Sequence, residues 1–194
     1  MDIWKTPKIV KESSRGYDSF SILDDMLTDR KINCVTEIDE ESVNSMIMQM
    51  MYLQKQDPDA EITIYINSPG GSVQDGLALY DVMQAISCPI KTVCMGMAAS
   101  MASILFVAGD KRQMLPHSKV MIHDPRIRKT GGTALDLQII SDNLMKTRTI
   151  TAEILAKHTG KRTDEILEKT KSDSYFTAEE AIDFGLADEI ITKL

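Results

Sequence analysis

Between residues 61 and 109 the apolar side chains change their spacing again and again, and that alternation restricts the fold more than any other feature. The stretch 61-EITIYIN-67 alternates as a strand does, 68-SPGG-71 reads as a turn, and 73-VQDGLALYDVMQAI-86 carries apolar residues at helical spacing before Cys88-Pro89. A second strand, 90-IKTVCMG-96, is followed by small and apolar residues over 98–109 that suit a second helix. Strand, helix, strand and helix in so short a span imply parallel strands joined by right-handed crossovers, and hence an α/β fold with a parallel sheet at its core.

The flanks extend this pattern. Residues 42–54, SVNSMIMQMMYLQ, have helical spacing and stop near Asp57-Pro58. An edge hairpin is expected around 110–118, then a strand at 119–123. A long helix is expected over about 134–158, with Ile140, Leu144, Thr147, Thr151 and Ile154 along one face and Gly160 closing it. About 25 residues of helix measure ~37 Å, more than a domain of this size uses internally, so part of it is expected to project and pack on another subunit. The segment 171-KSDSYF-176 reads as a loop between two short helices, Thr177 to Glu180 form a capping box, Gly185 stops that helix, and 187–192 is a last strand. Residues 1–20 are polar, with Pro7 and Ser13-Ser14-Arg15-Gly16, and read as an arm that is flexible or ordered by a neighbour; residues 21–194 are expected to form one domain.

Composition removes several classes of function. Net charge is −7 and the charges of both signs are interspersed, which leaves no footprint for nucleic acid or an anionic membrane. No apolar run approaches the ~20 residues of a membrane span, and MDIWKTPKIV lacks the basic start and apolar stretch of a signal peptide, so a cytoplasmic location is expected. The three cysteines, Cys34, Cys88 and Cys94, have no CxxC or metal-ligand spacing and read as buried small hydrophobes in a reducing compartment. Thirteen methionines against one tryptophan suit an adaptable core or subunit interface.

Two stretches carry possible chemistry. Gly70 and Gly71, after a strand and before a helix, either make a tight turn or present backbone N–H groups to an anionic oxygen. Neither GxxxxGK[ST] nor GxGxxG occurs, so any ATP used alongside this chain is hydrolysed by another protein. Ser100, in 93-VCMGMAASMASILFVAG-109, sits where a strand passes into a helix, with the N–H of Met101 beside it. It is either a nucleophile at the sheet edge or a small residue where a helix packs closely. A nucleophilic serine needs a base, and there are three histidines. His158 ends the long helix and reads as structural, and His117 follows Pro116 in a surface turn. His123 ends a strand at the same sheet edge and is open between base and core residue. Asp124 adjoins His123 but faces the other way along an extended chain; Asp173 is free to approach from elsewhere.

The strings INSPGGSV, GMAASMAS, VMIHDP and TAEEAIDFGLADEI, in this order and spacing, resemble the proteolytic subunit of the Clp protease (ClpP) family from about residue 17 to 191. The resemblance implies a crotonase-like fold of repeated ββα units with a projecting handle segment at about 124–158. It further implies a serine endopeptidase without cofactor or metal, assembled in heptameric rings stacked as a tetradecamer. Unfolded polypeptide would be supplied by an AAA+ unfoldase such as ClpX, ClpA or ClpC. Carried over residue by residue, the nucleophile is Ser100, the base His123 and the orienting acid Asp173. The oxyanion donors are the N–H groups of Gly71 and Met101, and Gly70, Pro125, Arg126 and Ile127 line the substrate groove.

Some positions depart from that pattern. Asp124 replaces a usual Gln, and Arg126-Ile127-Arg128-Lys129 replaces a Leu-Gly-Gly turn with one residue more. Lys171-Ser172 stands where an Asp-Arg pair usually bridges the rings, so that bridge cannot form. Met97 and Ala102 replace a usual Gln and Gly beside the nucleophile. The ring-contact changes motivate an alternative reading, a structural or regulatory paralogue that needs a second subunit type for activity. A crotonase-fold acyl-CoA enzyme is a third reading, against which the Ser100, His123 and Asp173 set argues.

Overall fold

The computed structural model describes residues 7–14, 16–127 and 131–194. Its centre is a parallel sheet. Strands β3 (Lys31–Cys34), β4 (Ile62–Ser68), β5 (Ile90–Ala99), β6 (Lys111–Met114) and β9 (Glu189–Ile190) pair in that order, all parallel. Between them run helices α2 (Glu40–Gln56), α3 (Val73–Ala85) and α4 (Met101–Val107), the first two within two residues of the stretches that the apolar spacing marked and the third starting three residues late because β5 runs on to Ala99. The buried faces of β4 and β5 explain why these strands are so apolar: Ile62, Ile66 and Cys94 are fully covered.

The 110–118 region is not an antiparallel hairpin. After β6 the chain turns at 115–118, where Ser118 N–H donates to the Leu115 carbonyl at 3.0 Å, and continues in the same direction as β7 (Lys119–Ile122). Both strands therefore lie parallel to β5, β6 along Lys91–Cys94 and β7 along Met97–Ala99. The break between them falls at Gly96, whose φ is 119°. A Cβ there would lie 2.7 Å from Asn67 Oδ1, the same oxygen that accepts from Met97 N–H at 3.2 Å. Only glycine allows this bend.

Helix α4 is buried at every position from Met101 to Val107, which accounts for its lack of any polar face. Helix α3 crosses it at Gly76, where a Cβ would stand 2.3 Å from Met101 Cγ. The long helix α5 (Ala134–Thr159) has 26 residues, begins at a Thr133–Asp136 capping box and ends on Gly160 in the left-handed conformation at φ 71°. Of its residues only Ala152 and Leu155 are buried, while Leu135 and Ile139 are 76% and 67% exposed. Helix α6 (Thr163–Lys169) follows, then strand β8 (Ser174–Phe176) and α7 (Ala178–Phe184), with the expected Thr177–Glu180 capping box and Gly185 cap. Where a loop was expected over 171–176, β8 pairs antiparallel with β7.

Ahead of the sheet, β1 (Lys8–Ser13) and β2 (Gly16–Ser21) form an antiparallel hairpin, so the described part of the expected arm has regular structure that its polar composition did not announce, while residues 1–6 lie outside the described residues. Lys11 ties it to α1 (Ile22–Thr28) through Asp25 at 3.0 Å. Among the described residues no helix is long and apolar enough to cross a membrane.

Candidate active site

Ser100 follows the last residue of β5 and precedes α4, with φ 54° and ψ −122°. A side chain is strained in that conformation, by roughly 1–3 kcal/mol, and persists there only if its surroundings hold it. Three bonds do. Its N–H donates to the Met121 carbonyl at 2.8 Å, and its carbonyl accepts from the N–H and Oγ of Ser103 at 2.9 and 2.6 Å. The sharp turn leaves the hydroxyl pointing out of the sheet edge.

Pairing of β7 beside β5 brings His123 to that same edge, because Ala99 lies opposite Met121 and His123 comes two residues later. His123 Nε2 is 2.7 Å from Ser100 Oγ. Strand β8 then sets the third group: Ile122 pairs with Ser174, so Asp173 falls next to His123, and its Oδ1 lies 3.1 Å from His123 Nδ1. A carboxylate only accepts, so Nδ1 carries the proton and Nε2 is left to accept from the serine hydroxyl. The imidazole is 14% exposed, enough to meet a ligand while most of it is shielded from water.

Gly70 and Gly71 press against this turn. Gly70 has φ 89°, and a Cβ there would lie 2.5 Å from the Ala99 carbonyl oxygen and 2.9 Å from Met101 N. Gly71 forms a parallel bridge with Ile38, in which Ile38 N–H donates to Gly70 O at 2.9 Å and Ser72 N–H to Ile38 O at 2.7 Å. That bridge uses the residues on either side of Gly71 and turns its own N–H away from Ile38. Met101 is the first residue of α4, so its N–H has no partner within the helix.

Of the residues expected along the groove, Gly70 packs against the turn at Ala99–Met101, and Pro125 lines a pocket beside Ser100 together with Val73, Ile104, Thr151 and Leu155. Ile127 is 41% exposed. The Arg126 guanidinium pairs with the Asp173 carboxylate, a contact the sequence reading missed. Arg128 and Lys129 lie outside the described residues. Asp124 faces away from the imidazole, as the alternation of an extended chain requires, accepting from Arg148 Nε at 2.6 Å and Thr170 Oγ1 at 2.5 Å. Lys171 pairs with Glu168.

The other two histidines have no part here. His117 is exposed in the turn before β7. His158 Nε2 meets the Tyr80 hydroxyl at 3.0 Å, and burial, with Lys157 and Arg112 nearby, pushes its pKa down to about 4. It is thus a neutral core partner rather than a charge closing the helix. All three cysteines are buried and unpaired, and burial pushes the Cys34 thiol up to about 12.

A strained serine, an imidazole and a carboxylate in line at one sheet edge suit acyl transfer. The Clp protease family model matches residues 13–194, and the chain therefore belongs to the Clp protease family.

Proposed function

We propose that this Clp-type peptidase cleaves peptide bonds with Ser100 as nucleophile, His123 as general base and Asp173 as the acid that orients the imidazole. The observation that carries the reading is the unbroken line from Asp173 Oδ1 through His123, at 3.1 Å, to Ser100 Oγ, at 2.7 Å. His123 takes the hydroxyl proton through Nε2 as Oγ attacks the carbonyl carbon, and returns it to the leaving amine. Water then attacks the acyl-serine as His123 takes its proton, and the imidazolium returns that proton to Ser100 Oγ as the bond to the acyl group breaks and the acid leaves. The Gly71 and Met101 N–H groups serve as oxyanion donors; the loss of one such donor costs about 3–4 kcal/mol in hydrolases of this type. The reading asks for no metal or cofactor.

Beside Ser100 the Val73, Ile104, Leu155 and Pro125 walls favour an apolar side chain on the acyl side of the scissile bond. The exposed first half of α5, with Leu135, Ile139 and Met145, is an apolar surface suited to packing between copies of the chain. It supports the expected stacked heptameric rings, whose closed chamber would admit only unfolded polypeptide delivered by an AAA+ unfoldase in the cytoplasm. Lys171-Ser172, standing where an Asp-Arg pair is expected, favours a second reading in which a second subunit type completes the assembly.

Hydrolysis of a fluorogenic peptide amide with an apolar residue before the scissile bond tests the reading. Activity of the purified chain, or of its mixture with a paralogue, should fall by at least roughly 10⁴-fold in Ser100→Ala. Undiminished activity in that variant would remove Ser100 from the mechanism.

A further inference from the structure

The residues after β7 run extended, and their side chains divide between two faces. His123 and Pro125 face the pocket at Ser100, whereas Asp124 and Arg126 face the link from α6 to β8 that carries Asp173. The two that face the link hold different parts of it. Asp124 fixes its backbone at Thr170, through its N–H to the Thr170 carbonyl at 2.8 Å and through the Thr170 hydroxyl at 2.5 Å. The Asp173 side chain is 38% exposed, and its hydrogen bonds among the described residues are with His123 Nδ1 and the guanidinium of Arg126, both on Oδ1. Of the other basic residues next to this link, Lys171 is engaged by Glu168 and the Lys169 ammonium lies over the Phe176 ring.

A carboxylate on a short exposed link has free rotation about two bonds, and one hydrogen bond to an imidazole does not fix it. We infer that Arg126 is a positioning residue that holds the Asp173 carboxylate against His123 Nδ1. The inference rests on the serine peptidase reading and gives Arg126 a role other than lining the groove. A groove residue acts on substrate binding, whereas this one acts on the chemical step through the acid and the imidazole. Its guanidinium is 56% exposed, so the pair is open to screening by salt.

The experiment is peptide-amide hydrolysis by wild type, Arg126→Ala, Arg126→Lys and Ser100→Ala, in the assembly state in which wild type is active, with that state checked by sedimentation. For Arg126→Ala, kcat should fall roughly tenfold while KM stays within about twofold, and Arg126→Lys should recover most of the loss. Raising salt from about 0.05 M to about 0.5 M should bring wild-type kcat towards that of Arg126→Ala and leave the variant nearly unchanged. An Arg126→Ala kcat equal to or above wild type overturns the inference, as does a loss confined to KM or one that lysine does not recover. Activity that survives in Ser100→Ala would instead defeat the reading on which the inference rests.

Discussion

His123 and Asp124 are neighbours in the chain, yet the imidazole meets Ser100 at 2.7 Å while the Asp124 carboxylate meets Arg148 on α5 at 2.6 Å. One residue thus faces Ser100 and the next ties this end of the sheet to the long helix. Arg148 also donates to the Leu167 carbonyl at 3.1 Å, so the tie extends to α6.

Replacing Asp124 by Ala removes the carboxylate that accepts from both the partly buried Arg148 and the Thr170 hydroxyl, and leaves them the Leu167 carbonyl, at 3.1 and 3.4 Å. The loss is expected to be about 2 kcal/mol of stability. A urea melt checks this, and Asp124→Asn, which keeps an acceptor for Thr170, should lose less. A melt unchanged in both variants would show that the tie contributes nothing.

Gly70 admits no side chain. An alanine there would need φ 89° and would place its Cβ 2.5 Å from a backbone oxygen that cannot move without shifting Ser100. Gly70→Ala should lose about 2–4 kcal/mol and at least roughly 100-fold in peptide hydrolysis. Gly131→Ala, where a Cβ meets nothing within 4 Å, serves as the control and should match wild type in both measurements.

Burial of His158 beside Tyr80 gives stability a pH dependence. The folded chain holds His158 down to about 4, mainly by burial, so the unfolded chain binds this proton more tightly. Its contribution is complete above about pH 6.5 and is lost as pH falls towards 4, with a size of about 1–2 kcal/mol once the partial exposure of the ring is allowed for. Urea midpoints at about pH 7 and about pH 4.5 should fall less for His158→Gln than for wild type. Equal falls would mean that other groups cause the acid sensitivity.

The parallel sheet was legible because β4, α3 and β5 carry their own apolar spacing, α4 is a short apolar run, and the four adjoin without long loops. The turn at Leu115–Ser118 was misread because Pro116 marks a reversal and a forward step equally well, and only pairing with β5 tells them apart. Strand β8 has three residues, too few for any period to show, although it is the element that sets Asp173 beside His123. Alternation along an extended segment set Asp124 aside but did not select Asp173, which the family resemblance named. The strain at Ser100 has no sequence signal, as its φ of 54° is imposed by Met121 and Ser103. The reach of Arg126 to Asp173 depends on where α6 delivers its link, which no local pattern encodes.

The most direct measurement is the intact mass of the chain after reaction with a fluorophosphonate, which phosphonylates only a serine whose hydroxyl is activated by a base. One adduct per chain on Ser100 is expected for wild type, none for Ser100→Ala, and labelling slower by at least roughly 10³-fold for His123→Ala. An adduct on another residue, or labelling of Ser100 that His123→Ala leaves at the wild-type rate, would contradict the assignment of Ser100 and His123 as nucleophile and base.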